Sequence, residues 1–130
     1  RGDDYSFISI EADINFYNEA KNFHKDNLSS KIQIIHGNII DVLDLMEPNS
    51  EEEKKWLNND LNNYKNCRNV WGYIHRKFDV VLLDGGEFST YQEFLKLKEL
   101  TKVFVLDDTN WILNSSSKDR NGFAIFTKNE

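Results

Sequence analysis

Four apolar stretches of this chain run directly into residues whose side chains or backbones suit a polar ligand. The ends are Glu11, Gly37-Asn38, Asp84-Gly85-Gly86-Glu87 and Asp107-Asp108. A carboxylate such as Glu11 can accept two hydrogen bonds from a ribose diol, and Asn38 offers both a donor and an acceptor to an adenine edge. Gly85 and Gly86 let a ligand come close to the backbone. Asp84, Asp107 and Asp108 are oxygen donors of the kind that gather a hard divalent cation such as magnesium. Glu87 has the chemistry of a general base wherever it can reach a substrate hydroxyl. Each has a plainer reading. Glu87 also suits the start of the helix that follows it, and the Asp107-Asp108 pair also suits a cap on the next turn.

The elements that must carry these residues alternate between strand and helix. Phe7-Ile8-Ser9-Ile10 is a β-prone run stopped by Glu11-Ala12-Asp13. A helix is expected over residues 15–27, with Asp13 as N-cap and Phe16, Ala20 and Phe23 on one face. Residues 31–36 read as a second strand, followed by a short helix over 39–46. After Pro48-Asn49, Ser50 with Glu51, Glu52 and Glu53 opens a helix that places Leu57, Leu61 and Tyr64 on one side. Asparagines crowd residues 58–69, so this helix is expected to fail before its end. Residues 47–77 as a whole read as a helical surface insertion.

Residues 78–84 form the strongest strand signal, a near-continuous apolar run of the kind buried on both faces. Gly85-Gly86 ends it. Ser89 or Thr90 can cap the next helix, on which Phe94, Leu97 and Leu100 share a side. Residues 102–106 are another buried strand. Residues 111–113 and 122–126 bracket a polar stretch as an antiparallel hairpin would. This order implies an α/β fold with a doubly wound, mostly parallel sheet, helices on both faces and an antiparallel edge. In such a sheet ligands bind beyond the carboxyl ends of the strands, where the acidic residues above fall.

Composition narrows the function classes. At 130 residues the chain fits one domain, residues 1–130, and 39% hydrophobic with 13% aromatic residues is enough for a packed core. A net charge of −6 with scattered basic residues argues against a nucleic-acid footprint. The apolar runs are far shorter than a membrane span, and the start lacks a signal-peptide pattern, so a cytoplasmic protein is expected. Cys67 is the lone cysteine, which excludes an internal disulfide and a cysteine-rich zinc site; its surroundings suggest an inert thiol. His24, His36 and His75 stand at no metal-ligand spacing and read as surface or packing residues.

The run Phe78-Asp79-Val80-Val81-Leu82-Leu83-Asp84-Gly85-Gly86-Glu87, followed by Leu106-Asp107-Asp108-Thr109, resembles class I S-adenosylmethionine-dependent methyltransferases. Within them it is most similar to small-molecule O-methyltransferases, and the resemblance covers residues 7–128. It implies that Glu11, with Ala12 beside it, binds the ribose side of S-adenosylmethionine, that Asn38 lies near adenine, and that Asp84 and Gly85 face the methionine end. It also implies magnesium on Asp84, Asp107 and Asp108, orienting two substrate oxygens and lowering the pKa of the one to be methylated. Glu87 stands where many relatives carry histidine, which leaves the base open between Glu87 and another group. The implied substrate is a small molecule, a sugar among the candidates.

The family's first strand, with its glycine loop, has no counterpart after Arg1. That strand lies between the second and fourth in the family's sheet, so its absence would leave two half-sheets with unpaired inner edges, and sequence before Arg1 is expected in the native product. A loop is also expected between Asn110 and Trp111, where relatives carry a helix. Two other readings remain: a nucleotide-binding module without catalysis, and a nicotinamide-dependent Rossmann enzyme, since an acid after the second strand also suits an NAD ribose.

Overall fold

The structure is a computed structural model and describes residues 5–41, 47–86, 88–107 and 123–127. It is mixed α/β, with short parallel strand pairs and, among the described residues, four helices. Two compact units emerge, one comprising Arg1–Leu43 and Glu47–Ile74, the other Asp44–Met46 and His75–Glu130.

In the first unit, β1 (Phe7–Glu11) pairs in parallel with β2 (Ile32–His36), and α1 (Ile14–Phe23) is the crossover. Asp13 caps α1 as expected. Its Oδ1 accepts from the N–H groups of Asn15 at 2.8 Å and Phe16 at 3.2 Å, a cap that contributes about 1 kcal/mol. The inward face matches the expected one only at Ala20. Phe16 is 61% exposed and Phe23 82%, whereas Tyr17 and Ala20 are half-buried. Both phenylalanines sit at helical spacing, but that spacing alone does not say which stripe meets the sheet.

β2 ends at His36, as expected before Gly37-Asn38, and Asn38 then meets a returning segment. Asn38 forms a parallel bridge with Asn69; its N–H donates to the Arg68 carbonyl at 3.0 Å and its carbonyl accepts from the Val70 N–H at 2.8 Å. A β-carbon on Gly37 would lie 2.7 Å from Val70 Cγ1 and 2.8 Å from the Arg68 oxygen, so only glycine allows this approach.

Helix α2 (Glu51–Lys65) enters the asparagine-rich stretch and ends inside it, as expected, with Asn66 as its C-cap. Its start is well held: Ser50 Oγ accepts from the Glu53 N–H at 3.1 Å, Glu53 Oε2 accepts from the Asn49 N–H, and the first turn carries three glutamates. Leu57, Leu61 and Tyr64, expected on one side of the helix, are all half-buried. A short α3 (Trp71–Ile74) follows. Within residues 47–77, Val70 and Ile74 are buried, as are Ile39 and Ile40 of the same unit. Ile39 and Ile40 themselves lie in a bend, and residues 42–46 of the expected short helix are outside the described residues.

In the second unit, β3 (Phe78–Leu83), β4 (Thr101–Asp107) and β5 (Phe123–Thr127) form a sheet in that order, with β3 parallel and β5 antiparallel to β4. Helix α4 (Thr90–Leu97) is the crossover between β3 and β4. It covers the face that carries Leu83 and Phe104, with the Phe94 and Phe104 rings 5.0 Å apart. The opposite face of β3 is open, Val80 and Leu82 each being 61% exposed. A strand so apolar was expected to be covered on both sides. β5 pairs antiparallel with β4; residues 111–113, the other arm of the expected hairpin, lie outside the described residues. Among the described residues the sheets are β1-β2 and β3-β4-β5, with β1 and β3 each at an edge.

Candidate functional site

The ends of β1 and β2 come together in the first unit. Glu11 is in register with His36, and the ladder continues one step further as the Gly37 N–H donates to the Glu11 carbonyl at 3.0 Å. Past Glu11 the chain turns tightly into α1. Glu11 Oε1 accepts from the Asp13 N–H at 3.0 Å, the Ala12 carbonyl accepts from His36 Nε2 at 3.1 Å, and the Asp13 carbonyl accepts from the Tyr17 N–H at 2.8 Å. Among the described residues these bonds leave Oε2 of Glu11 and the N–H of Ala12 unused at the strand end. One is an acceptor and the other a donor, the pair that a ribose hydroxyl and an adenine ring nitrogen require.

Asn38 is placed differently from Glu11. It is only 7% exposed, and its Nδ2 donates to the Cys67 sulfur at 3.1 Å. Its Oδ1 is buried with no partner among the described residues. A buried amide acceptor left without a partner is costly by about 1–3 kcal/mol. The side chain expected at an adenine edge is thus turned inward, with one acceptor position unsatisfied among the described residues.

Cys67 is held in the same place. Burial pushes its thiol pKa up, and the bond from Asn38 pulls weakly the other way. Because the thiolate is the reactive form, Cys67 is expected to react with iodoacetamide more slowly than a free cysteine at pH 8, and at the free rate once urea unfolds the chain. Equal rates in both states would contradict the placement. The sign for stability follows: with the folded pKa raised, the thiol's contribution is intact below the unfolded pKa and is lost as pH rises through the folded one.

In the second unit, Leu83 and Leu106 are paired in register, so Asp84 and Asp107 stand at adjoining strand ends; both are exposed. Two carboxylates so placed suit oxygen ligation of a hard cation. Among the described residues no group of three histidine, cysteine or acidic side chains gathers, and Asp108 and Glu87 lie outside those residues. Gly85 begins the turn into α4. A β-carbon there would meet Glu93 Oε1 at 3.2 Å and the hydroxyls of Ser89 and Thr90 at 3.3 Å, so polar oxygens close around a position without a side chain. Ser89 is the N-cap but makes no side-chain cap bond, and Thr90 Oγ1 donates to the Gly86 carbonyl at 2.9 Å.

His36 and Asp13 were not singled out from sequence as site residues, yet both hold the loop that carries Glu11. Asp13 was legible as a cap. The role of His36 depends on the register between β1 and β2, which spacing does not reveal. No described helix is long and apolar enough to cross a membrane. Compared with known proteins, the chain matches no family model, no curated protein and no solved structure.

Proposed function

We propose that this chain is a doubly wound, cytoplasmic S-adenosylmethionine-dependent methyltransferase domain that acts on an oxygen of a small molecule, a sugar among the candidates, with magnesium assisting. The observation that carries the reading is the end of β1: an acidic residue closing a parallel strand, one of its oxygens engaged by the Asp13 N–H and the other left for a ligand. That placement fits an adenosine ribose. The open strand edges and the acids ending β3 and β4 are consistent with it.

On this reading Glu11 accepts from the ribose hydroxyls and the Ala12 N–H donates to adenine, while Asn38 shapes the floor beneath. When bound, S-adenosylmethionine supplies an electrophilic methyl group on its sulfonium. Asp84 and Gly85 take the methionine-end role that the resemblance assigns, Asp84, Asp107 and Asp108 would hold the cation, and Glu87 would accept the substrate's proton.

Calorimetry on the natural gene product that contains these residues tests the proposal, with S-adenosylmethionine, S-adenosylhomocysteine and NAD as titrants and with or without magnesium. Binding of the first two is expected, weakened about 30- to 100-fold by Glu11→Ala, as for the loss of charge-assisted hydrogen bonds. Binding of NAD alone would favour the nicotinamide reading. No binding of any of the three overturns the enzyme assignment.

A further inference from the structure

The peptide joining Ala12 to Asp13 is gripped at both polar ends. Its carbonyl accepts from His36 Nε2 at 3.1 Å, and its N–H donates to Glu11 Oε1 at 3.0 Å. A carbonyl oxygen only accepts, so Nε2 carries the proton. The ring has little freedom to leave: its backbone is paired opposite Glu11, and it packs beside Tyr17 with centroids 5.4 Å apart and planes tilted by 35°.

A peptide is planar, so fixing the direction of its carbonyl also fixes the direction of its N–H. A hydrogen bond to the carbonyl also polarises the same amide and strengthens the N–H as a donor. The bond from His36 therefore reaches Glu11 without touching it. The geometry points to His36 as a positioning residue that sets the Glu11 carboxylate for a ribose diol by orienting the Ala12–Asp13 peptide. This rests on the adenosine-binding reading above. Its benefit is preorganisation, because the glutamate side chain is ordered before the ligand arrives rather than at its expense.

The experiment is a titration of S-adenosylhomocysteine into the natural protein and its variants, paired with hydrogen exchange of the Asp13 amide in the free protein. His36→Phe keeps a ring against Tyr17 but has no donor, and is expected to bind about fivefold to tenfold more weakly, the scale of one lost hydrogen bond. His36→Gln, whose terminal amide can donate to the same carbonyl, should return to within about twofold of wild type on the same scale. In a Glu11→Ala background His36→Phe should have no further effect, which a merely structural role would not produce.

The Asp13 amide should exchange faster in His36→Phe and recover in His36→Gln. Unchanged binding and exchange in His36→Phe, or an equal loss with and without Glu11, overturns the inference. Should the wild type fail to bind S-adenosylhomocysteine, the functional reading fails, while Asp13 exchange still decides whether His36 governs this peptide. If His36→Phe does not fold, His36→Asn, whose amide is too short to reach, takes its place in each comparison.

Discussion

Replacing Phe104 with alanine is expected to destabilise the second unit by about 3–5 kcal/mol, the cost of removing a buried phenylalanine from a core. Phe104 lies in β4, the middle strand of β3-β4-β5, paired with Val81 on one side and Phe126 on the other. It is buried, and its ring meets Phe94 of α4 at 5.0 Å with planes tilted by 55°. The loss therefore combines transfer, cavity and aromatic-pair contributions at the place where helix and sheet join. The stability of a whole domain is only about 5–15 kcal/mol, so much of it would go. Urea unfolding followed by circular dichroism reads the change, with Phe104→Leu retaining most of the stability. A Phe104→Ala protein within about 1 kcal/mol of wild type would mean that β4 is not the centre of this core.

Gly37→Ala should be the most damaging small substitution in the first unit. Its added methyl would sit 2.7 Å from Val70 Cγ1 and 2.8 Å from the Arg68 carbonyl oxygen. The valine can shift, but the Arg68 carbonyl accepts from the Asn38 N–H and cannot retreat without breaking that bond. A cost of about 1–3 kcal/mol is expected, toward the upper end because backbone must move. Urea unfolding measures it. Val70→Ala in the same chain should recover only part of the loss, since the Arg68 oxygen stays in the way; full recovery would show that the carbonyl yields freely. The same variant should also weaken ligand binding, because the Gly37 N–H donates to the Glu11 carbonyl at the strand end.

Much of the local structure was legible from sequence because it is set by local chemistry. The apolar runs at residues 7–11, 32–36, 78–83 and 101–107 are strands, and Asp13 and Ser50 cap the helices that follow them. The acids at strand ends could be read in the same way, since a strand's end is marked where apolar residues stop. Helix α2 ends within its asparagines as the sequence suggested, because Asn66 serves as its C-cap and its side-chain amide donates to the Asn62 carbonyl.

Only the tertiary structure decided which faces and partners those elements took. Helical spacing brought Phe16, Ala20 and Phe23 onto one stripe, but of these only Ala20 is half-buried, together with Tyr17, while both phenylalanines are exposed. An apolar β3 suggested cover on both sides, yet α4 packs on one face and Val80 and Leu82 remain exposed. Gly37 ends β2 as its type suggested, but only the fold made it the point where another segment approaches too closely for any side chain. His36 looked like an isolated histidine until register set it across from Glu11. Strand pairing depends on contacts between residues far apart in the chain, and the pattern within each element is equally compatible with several partners. Composition and spacing therefore determined the elements and the chemistry at their ends, while the pairing of β1 with β2 determined that His36, Ala12 and Glu11 would act on one another.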